Sequence, residues 1–313
     1  MNQAPAPAIR NYRPGDERAW LALILSAPDF PYALFNRSPS LDALRVMLEH
    51  PHMDPAHNLF FAEAPCGIVG YGELWHAPGH ARHTLRVLVH SEWRRQGLGT
   101  TLLRTIEARA RELGGQYLDT QIESSQHVGR SFLQARGFRP IHYSWQMVLP
   151  DISVAPPPDW PQGYTVRRFV PGRDEHTSVR LENDSFLDEW EYTPVELGEI
   201  EGFVRSPSFR ADGVIYAVKD RQAAGECWSW VDDEAIAQTS EKQGDVWCLC
   251  VHPEHRGRGL GRALLLAGVQ WLRRQGMTSV CLWVDGANDR ARHLYESAGF
   301  RAARTDIWYR EEL

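Results

Sequence analysis

Apolar and polar positions follow two periods along this chain, one of two residues and one of three to four. Short runs rich in β-branched and aromatic residues predict strands over 214–218, 227–231 and 246–251. From 261 to 275 the period lengthens. Ala263, Leu264, Ala267, Trp271 and Leu272 form one apolar helical stripe, which Gly276 ends. A strand over 279–284 and a helix over 289–297, closed by Gly299, come next. The same order occurs earlier, as strand 85–89, helix 100–113 stopped by Gly114-Gly115, strand 117–122 and helix 128–135. Strands followed by helices predict a mixed α/β sheet in each half.

The two halves also match letter by letter. Val87-Leu88-Val89-His90 with Arg94-Arg95-Gln96-Gly97-Leu98-Gly99 lines up with Leu249-Cys250-Val251-His252 and Arg256-Gly257-Arg258-Gly259-Leu260-Gly261, at an offset of 162 positions. The pairs Gly137-Phe138 and Gly299-Phe300 repeat that offset. Near the two starts, Ile9-Arg10 and Val166-Arg167 each lead into a Pro-Gly turn and an acidic helix start. Two copies of this length indicate a domain duplication, since a solenoid needs several short repeats. Residues 150–162, with five prolines, suit neither a helix interior nor a central strand and read as a stiff linker. The expected domains are 1–149 and 163–313.

Composition bounds the function. A chain of 313 residues with 43% apolar and 24% charged residues has two domains' worth of core, and a net charge of −6 argues against a general nucleic-acid binder. No apolar stretch approaches the roughly 20 residues of a membrane span, and Met1–Pro5 has no signal-peptide character. Five cysteines without a Cys-x-x-Cys pair point away from disulfides and towards a reducing cytoplasm. His76, His80, His83 and His90 match no zinc spacing, so no metal is expected.

The most informative segment is Arg256-Gly257-Arg258-Gly259-Leu260-Gly261-Arg262, between a strand and an amphipathic helix. Glycines let the backbone take positive φ, and the helix start offers N–H groups without intrahelical partners. Together with three arginines they make a cradle for a phosphate or pyrophosphate. Neither Lys219 nor Lys242 follows a glycine, which excludes a Walker A loop, and the glycine spacing fails the Rossmann fingerprint.

Arg256-x-x-Gly259-x-Gly261 after this strand resembles the acetyl-CoA motif of the GNAT acetyltransferase superfamily. Asn288-x-x-Ala291-x-x-Leu294-Tyr295-Glu296-x-x-Gly299-Phe300 resembles its second motif. The resemblance spans both halves and is greatest to tandem members of the mycothiol synthase kind. It implies two GNAT acyl-CoA N-acyltransferase domains and acetyl-CoA as co-substrate. The edge of Leu249, Cys250 and Val251 would splay from its neighbouring strand and bind the pantetheine arm and acetyl carbonyl, the turn 256–262 the pyrophosphate, and Asn288 the pantetheine side. Tyr295 would protonate the departing thiolate. Asp245, just before the strand 246–251, stands where the mycothiol synthase type carries an acidic residue and is the first expected base, with Glu226, at the start of the preceding strand, and Asp232 as runners-up.

The copies are unequal. The first keeps Val87, Leu88, Val89, Arg94, Arg95, Gln96, Gly97 and Gly99, a turn able to hold a CoA. It places Gln126 opposite Asn288, Leu133 opposite Tyr295, His83 opposite Asp245 and Arg86 opposite Cys248. Catalysis is therefore expected in the second copy. The acidic, aromatic stretch 182–192 with Asp184 and Glu191, joined by Glu226, suits a cationic amine. The competing reading of that stretch is an amphipathic helix with Phe186, Leu187 and Trp190 in the core and its acids in water. The expected acceptor is a small-molecule primary amine attacking directly in a ternary complex, in a monomer or homodimer. A protein N-terminal or lysine acetyltransferase, and a non-catalytic acyl-CoA sensor, are the alternatives.

Overall fold

Contacts divide the computed structural model, which describes residues 6–27 and 39–313, into two units. Met1–Pro5 lies outside the described residues.

The first unit contains β1 (Ala8–Asn11), α1 (Glu17–Leu25), α2 (Leu41–Leu48), α3 (Pro55–Asn58), β2 (Leu59–Ala64), β3 (Gly67–His76), β4 (Arg82–Val89), α4 (Leu98–Glu112), β5 (Tyr117–Glu123) and α5 (His127–Gln134). Strand β6 (Arg139–Leu149) leads into the second unit, which runs from Tyr143 to Thr305. There follow β7 (Thr165–Arg168), α6 (Glu175–Phe186), α7 (Leu197–Arg205), β8 (Val214–Lys219), β9 (Gln222–Trp230), α8 (Asp233–Thr239), β10 (Gln243–Val251), α9 (Leu260–Arg274), β11 (Ser279–Asp285) and α10 (Asp289–Ser297). The last strand, β12 (Arg301–Glu312), pairs with β5 from Asp306 onwards and so belongs to the first unit there.

The first unit's sheet runs β1-β2-β3-β4-β5-β12 and the second's β6-β11-β10-β9-β8-β7. Each has one parallel pair, β4 with β5 and β10 with β11, among antiparallel neighbours. This is the mixed α/β sheet that the alternating pattern predicts. Contacts partition the chain one strand differently from the sequence repeat, because β6 registers with β11 while the end of β12 registers with β5.

The stripe of α9 explains the second core. Ala263, Leu264, Ala267, Trp271 and Leu272 are all buried, against Ile215, Cys227, Val246 and Val280 of the sheet. Each large apolar side chain so buried contributes about 1.5–3 kcal/mol. All five cysteines are unpaired, and only Cys66 is exposed. Among the described residues no helix is long and apolar enough to cross a membrane.

Candidate functional site

The parallel strands of the second unit part from one another. Pairing of β10 with β11 ends at Val246 opposite Leu282, although the strands continue to Val251 and Asp285. Two local features accompany the parting. The register of β10 against β9 shifts between Val246 and Cys248, a bulge at Trp247, and bulges bend a strand and increase its twist. On its far side β11 stays paired with β6 as far as Asp285 opposite Ser144. The β11-facing edge of Leu249, Cys250 and Val251 therefore has no strand partner among the described residues. The first unit repeats this opening, where β4 and β5 pair only up to Thr84 and Asp119 and leave the edge of Val87, Leu88 and Val89 likewise.

At the end of β10 the chain turns through Gly257 and Gly259, at φ +74° and +81°, with Gly259 as the N-cap of α9. The first cap bond of α9 is Ala263 N to Gly259 O, so the N–H groups of Leu260, Gly261 and Arg262 precede the intrahelical ladder. Arg256 braces the turn, its Nε donating to Val251 O at 3.0 Å and an Nη to Ser185 O at 2.5 Å. Arg258 donates to Glu254 O at 3.2 Å and Arg262 to the Ser297 hydroxyl at 2.7 Å. A Cβ built on Gly257 meets nothing within 4 Å, so the cradle is open on that side. In the first unit Arg94 makes the same brace to Val89 O at 3.0 Å, and Gly97 caps α4 at φ +85° with Gly99 and Gln96 beside it. There Arg95 holds φ +65° where the second unit has Gly257.

A cavity of about 450 Å³ lies at the mouth of the opening, lined by Ser185, Glu189, Arg256, Asp285 and Asn288 among others. Asn288 caps α10 through its Oδ1, which accepts from Ala291 N at 2.9 Å, while its Nδ2 donates to Glu189 at 2.6 Å. Burial, with the charge of Asp285, raises the Glu189 carboxyl above its usual range. Tyr295 is buried on α10. That burial, with Cys227, Cys248 and Glu189 nearby, pushes its phenol well above 10, so it stays protonated at any working pH.

The expected bases fall in different places. Asp245 lies inside β10 rather than before it, because the strand already pairs with both neighbours there, opposite Trp230 and Cys281. It is buried at the closed end of the opening. Glu226 sits in the middle of β9 and not at its start, since the hairpin turn falls at Asp220-Arg221, both at positive φ. Its Oε2 accepts from Ser178 at 2.7 Å and Trp228 Nε1 at 2.9 Å, and the Cys250 thiol lies 3.9 Å from Oε1. Asp232 accepts from Ala235 N at 3.0 Å as the N-cap of α8. Asp184 stands 3.8 Å from His252, and Glu191 is exposed at φ +50°. The amphipathic reading of 182–192 is corrected: Glu182 is buried and Leu187 is 68% exposed, because α6 turns Ser178, Glu182 and Ser185 towards the sheet. Glu182, Ser185, Glu189 and Asp285 were not singled out from the sequence. A polar stripe at 178, 182 and 185 was the available signal.

Burial lifts the Glu226 carboxyl to about 7, partly offset by its hydrogen bonds, and lifts Glu182 well above its usual range. A carboxyl raised in the folded state supplies stability that is complete below its unfolded pKa near 4.5 and is lost as pH rises through the folded value. Glu226→Gln is therefore expected to leave the melting temperature unchanged at pH 4 and to raise it at pH 8, as calorimetry on both proteins will show.

In the first unit the corresponding places are filled otherwise. Leu133 is buried at the Tyr295 position. Arg86 donates to buried Glu73 at 2.9 Å where the second unit has Cys248. His83 is 3.1 Å from His76, and burial lowers it to about 4, so it is neutral at pH 7.

Comparison with known proteins agrees with this geometry. The acetyltransferase (GNAT) family model matches residues 22–138 and 177–300. The chain is 34% identical over 251 residues to a mycothiol acetyltransferase of Thermomonospora curvata, covering 77% of this chain and 78% of that protein. It is 32% identical over 257 residues to one of Salinispora arenicola, covering 82% and 81%. A GCN5-related N-acetyltransferase from Sphaerobacter thermophilus shares the fold, with a TM-score of 0.74 at 23% identity over 97% of this chain and 95% of that one. So does a tandem GNAT protein of the clavulanic acid biosynthesis pathway, with 0.74 at 19% identity over 97% and 98%. The chain belongs to the acetyltransferase (GNAT) family, whose members use acetyl-CoA, and is an N-acetyltransferase.

Proposed function

We propose that the second unit transfers acetyl from acetyl-CoA to a primary amine of a small molecule, by direct attack in a ternary complex. The observation that carries this reading is the opening between β10 and β11 beside a glycine-capped helix start, with Tyr295 buried at its side. The diphosphate would lie on the N–H groups of 260–262, between Arg256, Arg258 and Arg262. The thioester arm would follow the free edge of Leu249–Val251, whose N–H groups would meet the charge that develops on the carbonyl oxygen. Asn288 would then exchange its bond to Glu189 for one to the arm. Tyr295 would protonate the departing sulfur. Asp245 and Glu226 are the carboxylates considered for removing the amine's proton.

The cavity favours a cation. Asp188, Glu189, Asp285 and Asp289 outnumber Arg256 and Arg290 in its lining, and walls of one net sign raise the local concentration of the opposite charge. The mycothiol acetyltransferases to which the chain is similar support a small-molecule acceptor. Incubation of the full chain with acetyl-CoA and a panel of glucosamine, spermidine, tyramine and a lysine-containing peptide, following free thiol, tests the reading. Release that depends on a small amine is expected. Release with the peptide alone would turn it towards protein acetylation, and acetyl-CoA binding without any release towards a sensor.

A further inference from the structure

Between α6 and the sheet of the second unit lies a buried polar cluster that the fold itself does not require. Ser178, Glu182 and Ser185, at 0, 4 and 6% exposure, occupy one face of α6. Opposite them β9 and β10 present Glu226, with Cys248 and Cys250 on the same face in the cross-strand register. The Glu226 oxygens are engaged by Ser178, Trp228 and Cys250, and the Ser178 hydroxyl is also 2.5 Å from the Tyr216 hydroxyl. Glu182 Oε1 and Ser185 Oγ are both buried and have no oxygen or nitrogen partner, only the thiols of Cys248 and Cys250 beside them. Ser185 also lines the cavity at the mouth of the opening, and it packs against Cys250.

The first unit shows that packing alone has another solution. Its β3–β4 register, Gly70 opposite Val89, matches Gly225 opposite Val251, which puts Tyr71 in the place of Glu226. Trp20 and Ile24, four and eight residues after Asp16, stand where Ser178 and Glu182 stand four and eight after Asp174. Trp20 packs edge-on against Tyr71 at 5.3 Å, and Trp20 and Ile24 are buried. At these three positions the same fold accepts aromatic and aliphatic residues, and the buried acid of that face in the first unit, Glu73, is paired with Arg86 at 2.9 Å. The two acids occur only in the unit that carries Tyr295, although burying carboxyl groups costs several kcal/mol that apolar residues would not.

We propose that Glu182 and Glu226 form a proton-holding pair that accepts the proton of the acceptor ammonium through the Ser185 hydroxyl and the Cys250 thiol between it and Glu226. This rests on the acetyl-transfer reading above and names the acceptor of the proton within it. Two carboxyls in one apolar volume cannot both ionise, so the pair carries one proton and one charge. The groups facing the pair are Tyr216 on β8, Cys248 and Cys250 on β10, Tyr192, and Glu199 on α7, none of them a cation; Arg256 stands at the Ser185 end, bonded to the Ser185 carbonyl. Burial sets Glu226 near neutrality, suited to exchange with an amine. In the balanced sequence the ammonium gives one proton to the pair by way of Ser185 and Cys250. The amine nitrogen then bonds to the thioester carbonyl carbon. As the C–S bond breaks, sulfur takes the Tyr295 proton and Tyr295 regains one from the nitrogen, leaving amide, CoA thiol and one proton that the pair returns to water.

The test uses the full chain. Infrared difference spectra of the protein alone are expected to show the C=O stretch of a buried protonated carboxyl at pH 7, weakened in Glu182→Gln and in Glu226→Gln. With acetyl-CoA and the panel amine that releases thiol fastest, both variants should lose about 10²-fold in kcat at pH 7 and lose the acid limb of the pH profile, with acetyl-CoA affinity unchanged. Ser185→Ala should keep the infrared band and slow kcat about tenfold, which keeps the test decisive if a Gln variant does not fold. A missing band in the wild type, or an acid limb that survives in both Gln variants and vanishes in Asp245→Asn, overturns the pair. A wild-type chain that releases no thiol with any amine overturns the acetyl-transfer reading, and the pair's role with it, even if the band is present.

Discussion

Replacing Gly259 by glutamate is expected to weaken acetyl-CoA binding by the second unit about a hundredfold while the chain stays folded. Gly259 holds φ +81° as the N-cap of α9, a conformation that costs a residue with a side chain roughly 1–2 kcal/mol. The nearest atom to a Cβ there is Pro161 Cγ at 4.0 Å, so the side chain has room and the protein tolerates it. The ligand would not. A carboxylate would stand at the start of the helix whose N–H groups at 260–262 are proposed to hold the diphosphate, and would pair with Arg258 or Arg262 in its place. Charge-assisted hydrogen bonds are worth about 1.5–3 kcal/mol each, so loss of one or two gives the stated factor. Isothermal titration of wild type and variant with acetyl-CoA reads it, with the melting temperature as the control of folding. Undiminished affinity in a chain that binds one equivalent would place the ligand in the first unit, on the Arg94–Gly99 turn.

Much of this site is legible in the letters because its parts are local. A glycine pair at a strand-to-helix turn fixes its own backbone, and the apolar stripe of α9 fixes which face of that helix is buried; both appear in the structure at the expected residues. The strand opening was expected from the resemblance alone, since no pattern within β10 tells where a parallel partner leaves it. What escaped depends on residues far apart in the chain. Glu182 and Glu226 feel each other's charge only because α6 packs over β9, where Ser178 bonds Glu226, and Glu189 reaches Asn288 across 99 positions. A glutamate on a helix normally reads as a solvated face, so the stretch 182–192 had no rule that would turn Glu182 inward and Leu187 outward. The repeat held one usable sign, an acid in the second copy where the first has Ile24, which becomes visible only when the helices after the two Pro-Gly turns are aligned.

Tyr295→Phe is expected to lower kcat about 10²-fold, the lower end of what a positioned acid contributes. Phenylalanine fits a site already packed against Phe300 at 6.0 Å within the core, so the melting temperature should change little. Acetyl-CoA affinity should also hold, because the turn and the strand edge are untouched. In the proposed mechanism the lost proton donor matters through the leaving group. Burial keeps the phenol protonated through the whole accessible range, so its removal should take away rate without moving the acid limb of the pH profile. A free thiol with a pKa near 8.5 already leaves readily as thiolate, so the acid helps by stabilising sulfur as it departs. An acetyl thioester of a more acidic thiol needs that help less, and the ratio of wild-type to variant rates should fall towards one with such a donor. A ratio that stays constant across donors of different thiol acidity would assign Tyr295 to packing, as its buried counterpart Leu133 already is in the first unit.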